Sequence, residues 1–320
     1  MNKLFALTKN TFVETLRQPV YAVIIIASLL LIFISPSITM YTMTDDNKLL
    51  RELGLSTLFL SSLFIAIFAA SGAVAEEIDN KTITTVLSKP VQRPIFIIAK
   101  FLGVAVSVLL AHYICTIALL MAIRHGVMEA EYITRDWTVI AVAAGGVTLT
   151  LLLSAFLNYV YDWKFTSTAI VLLALFGTLC ITFLFFIDKQ WQFNPAQNRI
   201  NTFDIYASIL LFFAVLIILA IAVALSVRFN ILITLSCCVG IFLLGLISNW
   251  VFEEAAQSSI LAKIGYFIVP NLQLFWISDA IYDESNVPGI YVLRTGLYSV
   301  CYTLAVLGIS IAAFQRRQVG

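Results

Sequence analysis

An all-α, polytopic integral membrane protein is the fold class this sequence predicts, and three observations predict it. Of 320 residues, 61% are apolar and only 12% charged, about half the charged share of a soluble globular chain. The charges are clustered, leaving eight uncharged runs of at least 21 residues. A helix needs about 20 apolar residues to cross the hydrocarbon core, where every backbone N–H and C=O must be satisfied within the segment. The 19 basic and 18 acidic side chains are too few to cover a soluble fold of this size. About eight transmembrane helices, within a range of six to eight, are expected in a single transmembrane domain, 1–320.

Residues 1–19 set Phe5, Phe12, Val13 and Leu16 against Lys3, Lys9, Glu14 and Arg17 and end at Pro19, the pattern of an amphipathic elbow helix in the interface. The first hairpin, 20–75, holds the uncharged runs Gln18–Thr44 and Leu53–Ala75. Its first run is too long for a signal-peptide core, and Ser35-Pro36-Ser37 leads on without a small-x-small cleavage site. Pro36 is expected to kink this span near its outer end. The central spans, 95–252, hold Phe101–Ile123, Trp137–Tyr161, Phe165–Ile187, Ile205–Val227 and Phe229–Phe252. Only Arg228 separates the last two. One continuous helix from Ile205 to Phe252 would be roughly 70 Å long, more than twice the core thickness, so the chain must turn at Arg228.

The outer loop, 253–290, contains an uncharged run of 15 residues, Ile264–Ser278, broken by Pro270. It is too short to cross, and Tyr266, Phe267, Phe275 and Trp276 suit an interfacial or re-entrant element. The last span, 291–315, and a basic tail, 316–320, complete the chain. With a cytoplasmic N-terminus, the inner side collects 11 basic and 5 acidic residues and the outer side 8 and 13, as the positive-inside rule requires. Both termini are then cytoplasmic.

The chemistry of the spans excludes several functions. All five cysteines lie within spans as small apolar groups, and adjacent Cys237 and Cys238 diverge on a helix. His112 and His125 are about 20 Å apart along one helix and cannot share a metal ion. His112 is expected to be satisfied by a Ser, Thr or carbonyl of a neighbouring helix. No Gly is followed by Lys, so no P-loop is present. Gly145-Gly146 allows close helix contact, Arg124 and Arg294 border spans where they can snorkel, and Asn158 and Asn249 sit near span ends, suited to bonds between helices.

The most informative stretch is cytoplasmic, 76–94: Glu76-Glu77-Ile78-Asp79-Asn80-Lys81-Thr82-Ile83-Thr84-Thr85-Val86-Leu87-Ser88-Lys89-Pro90-Val91-Gln92-Arg93-Pro94. Three acids favour a helix N-terminus, and Ile78, Thr82, Ile83, Val86 and Leu87 fall on one face. Pro90 and Pro94 then stop the helix. On physics alone the apolar face could lie on lipid or on a soluble partner.

This run, with Lys100-Phe101-Leu102-Gly103 beyond it, resembles the cytoplasmic signature of ABC-2 type transporter permeases. The acidic cluster, Thr, Leu-Ser pair and Pro-Val-x-Arg occur in the family's order between the second and third spans. Lys81 stands where the family commonly has glycine, and eight spans exceed its usual six. The resemblance implies that Glu76, Glu77, Thr82, Leu87, Ser88, Pro90 and Arg93 form a coupling helix docking on a separate ATP-binding cassette ATPase. It further implies an exporter of two permease copies, as homodimer or heterodimer, with two ATPase subunits that bind ATP and Mg. This chain would carry no cofactor or metal, have no catalytic residues, touch no nucleic acid, and sit in a cell membrane, most naturally a bacterial inner membrane. The readings from other classes are a polytopic membrane enzyme and a non-transporting membrane scaffold. An enzyme would need ionisable groups converging at one membrane depth.

Overall fold

A computed structural model describes residues 3–39, 46–79, 92–127, 136–195, 198, 201–252, 260–277 and 287–315. In chain order the helices are α1 (Lys3–Arg17), α2 (Pro19–Thr39), α3 (Asp46–Asp79), α4 (Arg93–His125), α5 (Trp137–Tyr161), α6 (Phe165–Phe186), α7 (Thr202–Ser226), α8 (Ile231–Leu246), α9 (Ser248–Phe252), α10 (Ile260–Ile268) and α11 (Gly289–Gln315), with a 3-10 turn at Gln273–Phe275. Among the described residues there is no strand, only an isolated antiparallel bridge between Ile187 and Phe193. Among the described residues, seven helices, α2 to α7 and α11, are long and apolar enough to cross a membrane.

The chain forms two compact units: residues 16–62 with 109–208, and residues 1–15 with 63–108 and 209–320. In the first unit, α2 buries one face at heptad-like spacing, Tyr21, Ile25, Ser28, Ile32 and Ser35, while Val23, Ile26, Leu30 and Phe33 are exposed as a lipid-facing surface would be. Pro36 lies inside α2. Proline has no N–H for the carbonyl of Ile32, and the Ser35 hydroxyl donates to that carbonyl at 2.7 Å instead.

Helices α5 and α6 form a hairpin. Asp136 caps α5, its Oδ1 accepting from Thr138 N at 3.1 Å and Val139 N at 3.2 Å, and so satisfies orphan N–H groups of the first turn. Asp162 ends α5 in the left-handed region, φ 56°. Asn158 donates to the carbonyl of Trp163 at 2.5 Å, so it braces the turn after its own helix and not a neighbouring helix. Gly146 faces Cys180, where a Cβ would come within 2.6 Å of the sulfur; glycine is what lets α5 and α6 close up. Gly145 meets nothing nearby.

In the second unit, α7 ends at Ser226 and the chain turns through Val227 and Arg228, as the length argument required. Asn230 caps α8, accepting from Ile233 N at 3.1 Å. The uncharged run Phe229–Phe252 is not one helix. At 16 residues, α8 is about 24 Å long, short of the roughly 30 Å core, and the chain breaks at Ile247 before α9. The cause is tertiary: Gly245 receives the Pro270–Leu272 segment, with Leu272 N donating to Gly245 O at 3.0 Å. On α11 the buried side is made of small residues such as Gly296, Ser299, Thr303 and Ser310, while Leu293, Leu297, Leu304 and Ile309 are exposed. Lipid is as apolar as leucine, so close packing selects the protein-facing side, and Ser299 adds a hydrogen bond to Phe213 O at 2.8 Å.

Candidate coupling region and polar contacts within the spans

Of the seven residues assigned to coupling, Thr82, Leu87, Ser88 and Pro90 lie outside the described residues. Glu76 and Glu77 fall in the last turn of α3, beyond its apolar part, which ends at Ala75. Arg93 is the first residue of α4, and its guanidinium lies at the far end of the chain. Its Nη1 donates to Gln315 O at 2.7 Å and reaches Phe314 O at 3.5 Å. The guanidinium carbon also sits 5.9 Å from the centre of the Phe314 ring. The last carbonyls of a helix lack intrahelical donors and carry the negative end of its dipole, so a cation there caps α11. The Phe314 ring in turn stacks on Phe96 of α4 at 5.6 Å.

One turn further along α4, Lys100 has only 3% of its side chain exposed and pairs with Glu14 of α1 at 3.7 Å. A buried ammonium needs such a partner, and it also lies over the Phe96 ring at 5.7 Å. At Gly103 a Cβ would come within 2.6 Å of Thr11 and 2.8 Å of the Thr8 carbonyl oxygen. The Ser107 hydroxyl reaches Phe12 O at 3.5 Å. The Lys100-Phe101-Leu102-Gly103 motif therefore has a structural reason: the lysine and the glycine seat α1 on α4. The start of α4 thus gathers α1 on one side and the end of α11 on another.

His112 is buried, with its Nδ1 2.9 Å from Ser62 Oγ. Its Nε2 lies 3.0 Å from Ser208 O and 3.1 Å from Ser208 Oγ. A carbonyl only accepts, so Nε2 carries a proton. Thr116 Oγ1 is 2.7 Å from Ser208 Oγ and donates to His112 O at 2.8 Å. His112 is thus held by hydroxyls and a carbonyl, as the sequence led us to expect. Arg124 does not snorkel. Its Nη1 donates to Leu184 O, its Nη2 to Ile187 O at 2.6 Å, and its Nε lies 3.6 Å from Asp136 Oδ2; it caps the end of α6. Residue pattern could not reveal that partner, because it lies 60 residues away.

Residues 264–277 hold the end of α10, a break around Pro270 and the 3-10 turn. Asn249 of α9 holds this segment: its Oδ1 accepts from Asn271 Nδ2 at 2.7 Å and Tyr266 OH at 3.2 Å. Its Nδ2 donates to Gln273 Oε1 at 3.2 Å. Three tyrosines of α11 pin the same segment, Tyr302 donating to Ile268 O at 2.6 Å, Tyr291 donating to Leu274 O at 2.6 Å and Tyr298 accepting from Asn271 N at 3.1 Å. Among the described residues no cluster of His, Cys, Asp or Glu has metal-binding geometry.

The seven apolar helices among the described residues define a multi-pass membrane protein. Residues 16–229 match the profile described as ABC-2 family transporter protein, and the match covers more than half of the chain, including the whole 76–94 segment. The chain belongs to the ABC-2 transporter family and is a permease component, the membrane-spanning part that works with an ATP-binding cassette ATPase and is not itself the ATPase. No curated protein matches the sequence at a significant level.

Proposed function

We propose that this chain is the permease of an ATP-driven exporter, assembled as two permease copies with two ATPase subunits that hold ATP and Mg. The observation that carries the reading is that the 76–94 segment, with its acidic start, one-sided apolar face and Pro-Val-x-Arg end, lies inside the matched family region. In this mechanism Glu76, Glu77, Thr82, Leu87, Ser88, Pro90 and Arg93 form the coupling segment that meets the ATPase. Its closure on ATP pushes the segment, and the push enters the spans at the start of α4. Arg93 also joins this segment to the end of α11. Its bonds to Phe314 O and Gln315 O suit it to pass the movement to α11, and the Lys100–Glu14 pair to pass it to α1.

The same bonds support placing both termini on the cytoplasmic side. They bring the start of α4 beside the last turn of α11, so the number of crossings between them is even. The composite of α8 and α9 then supplies the eighth crossing, since 231–252 is about 33 Å long when summed as helix. A bacterial inner membrane fits the positive-inside charge count.

Leu87→Asp tests the reading. It places a charge on the apolar face and is expected to abolish co-purification of the ATPase and its stimulation, while the permease still inserts. Intact assembly and intact stimulation in that variant would overturn the docking assignment.

A further inference from the structure

We propose that a cavity at one membrane face of the unit 16–62 with 109–208 binds the head group of an acidic phospholipid, a singly charged phosphodiester on an apolar tail. The cavity, of about 260 Å³, is lined where five helices end: Arg51 near the start of α3, Arg124 at the end of α4, Asp136 at the cap of α5, Phe185 at the end of α6 and Asp204 at the start of α7. Helix ends mark where backbone leaves hydrocarbon for water, so the cavity lies at head-group depth. Its volume falls just below the roughly 300–1,000 Å³ of sites that enclose a whole drug-sized ligand. It suits a head group with its first methylenes and leaves the acyl chains outside.

The lining divides by chemistry. Ile123 and Phe185 belong to an apolar wall built from the last turns of α4 and α6, and the remainder is polar. Among the described residues, three basic side chains, Arg51, Arg124 and Lys189, face two acidic ones, Asp136 and Asp204, a surplus of one positive charge. Both acids are engaged. Asp204 Oδ1 accepts from Arg51 Nε at 3.0 Å, and Asp136 caps α5 through Oδ1 while its Oδ2 lies 3.6 Å from Arg124 Nε. Arg124 spends its terminal nitrogens on the carbonyls of Leu184 and Ile187.

Among the described residues, the lining cations left to meet a ligand are the Lys189 ammonium and the terminal nitrogens of Arg51, beside the side-chain amides of Asn198 and Asn201. Donor-only cations recognise oxyanions. A phosphodiester with one negative charge balances the surplus. Phosphocholine brings its own cation and leaves the surplus standing, and free phosphate has nothing to set against Ile123 and Phe185. The site does not depend on how the ATPase is coupled.

The test is native mass spectrometry of the purified full-length chain equilibrated with mixed phosphatidylglycerol and phosphatidylcholine. We expect phosphatidylglycerol to be retained about tenfold over phosphatidylcholine, the ratio that one good charged contact gives. Lys189→Glu should abolish the preference. Arg228→Glu, which alters an exposed cation at the junction of α7 and α8 outside the cavity, should leave it intact. Added inorganic phosphate should not displace the lipid. Equal retention of the two lipids, a preference that survives Lys189→Glu, or displacement by inorganic phosphate, which would mark a free-anion site, each overturns the proposal.

Discussion

Arg93 and His112 show how one polar side chain is used when water is scarce. Arg93 reaches two carbonyls and an aromatic face of α11. Arg93→Gln should lower stability by about 1–2 kcal/mol, the range for hydrogen bonds from a charged donor reduced for partial exposure. Arg93→Lys should recover only part of it, because an ammonium cannot also stack as a guanidinium plane does; melting of the purified permease in detergent reads both. For His112→Leu the loss should be about 1–2 kcal/mol, with transport kept below the lowered melting temperature. Ser62 retains Leu58 O at 2.8 Å and Ser208 retains Thr116 at 2.7 Å, so few groups are orphaned. Transport lost with an unchanged melting temperature would instead place His112 in the substrate path.

Two glycines decide how whole elements meet. Gly103 admits α1, and even the Cβ of alanine would meet the Thr8 carbonyl oxygen, a backbone atom that cannot swing aside. Gly103→Val should release α1 from α4 and make residues 3–17 a site of limited proteolysis, with the spans left intact. Gly245 plays the same part for the Pro270–Leu272 segment, where a Cβ would lie 2.7 Å from Pro270 O. In a cysteine-free background, Leu272→Cys, at a site only 2% exposed, should resist a membrane-impermeant maleimide and become reactive when Gly245→Val is added. The long helices themselves were legible from charge alone. The run Trp137–Tyr161 is α5 residue for residue, because Asp136 caps one end and Asp162 takes the left-handed conformation at the other. Phe229–Phe252 was misjudged as one helix because its charge-free sequence carries no sign of a segment some 25 positions later pressing on Gly245.

At the scale of the whole molecule, parity is the property most open to test. A reporter fused after Gly320 should read cytoplasmic, as should one placed before Lys3. Opposite readings would mean that α8 and α9 turn back within the membrane and the crossings number seven. The eleven basic residues assigned to the inner side depend on the same outcome, and so does the access of an ATPase to residues 76–94. The candidate site was legible only as a pattern of residue types. Order and spacing pointed to the coupling segment and to Lys100 and Gly103, but not to what Lys100, Gly103 or Arg93 touch, since Glu14, Thr8 and Gln315 lie far off in the chain.

By itself the sequence determined the solvent, the class of fold and the family. Each rests on local quantities: runs of uncharged residues long enough to cross, the side on which basic residues gather, and a motif of about 28 residues. Only the tertiary structure decided how the polar residues are used: Arg93 and Arg124 as caps of distant helix ends, His112 as a satisfied bridge, α8 cut short, and five helix ends closing on one charged cavity. The physical reason is the same for each. In a membrane a polar group must find its partner inside the protein, and sequence shows that the need exists without showing which distant residue meets it.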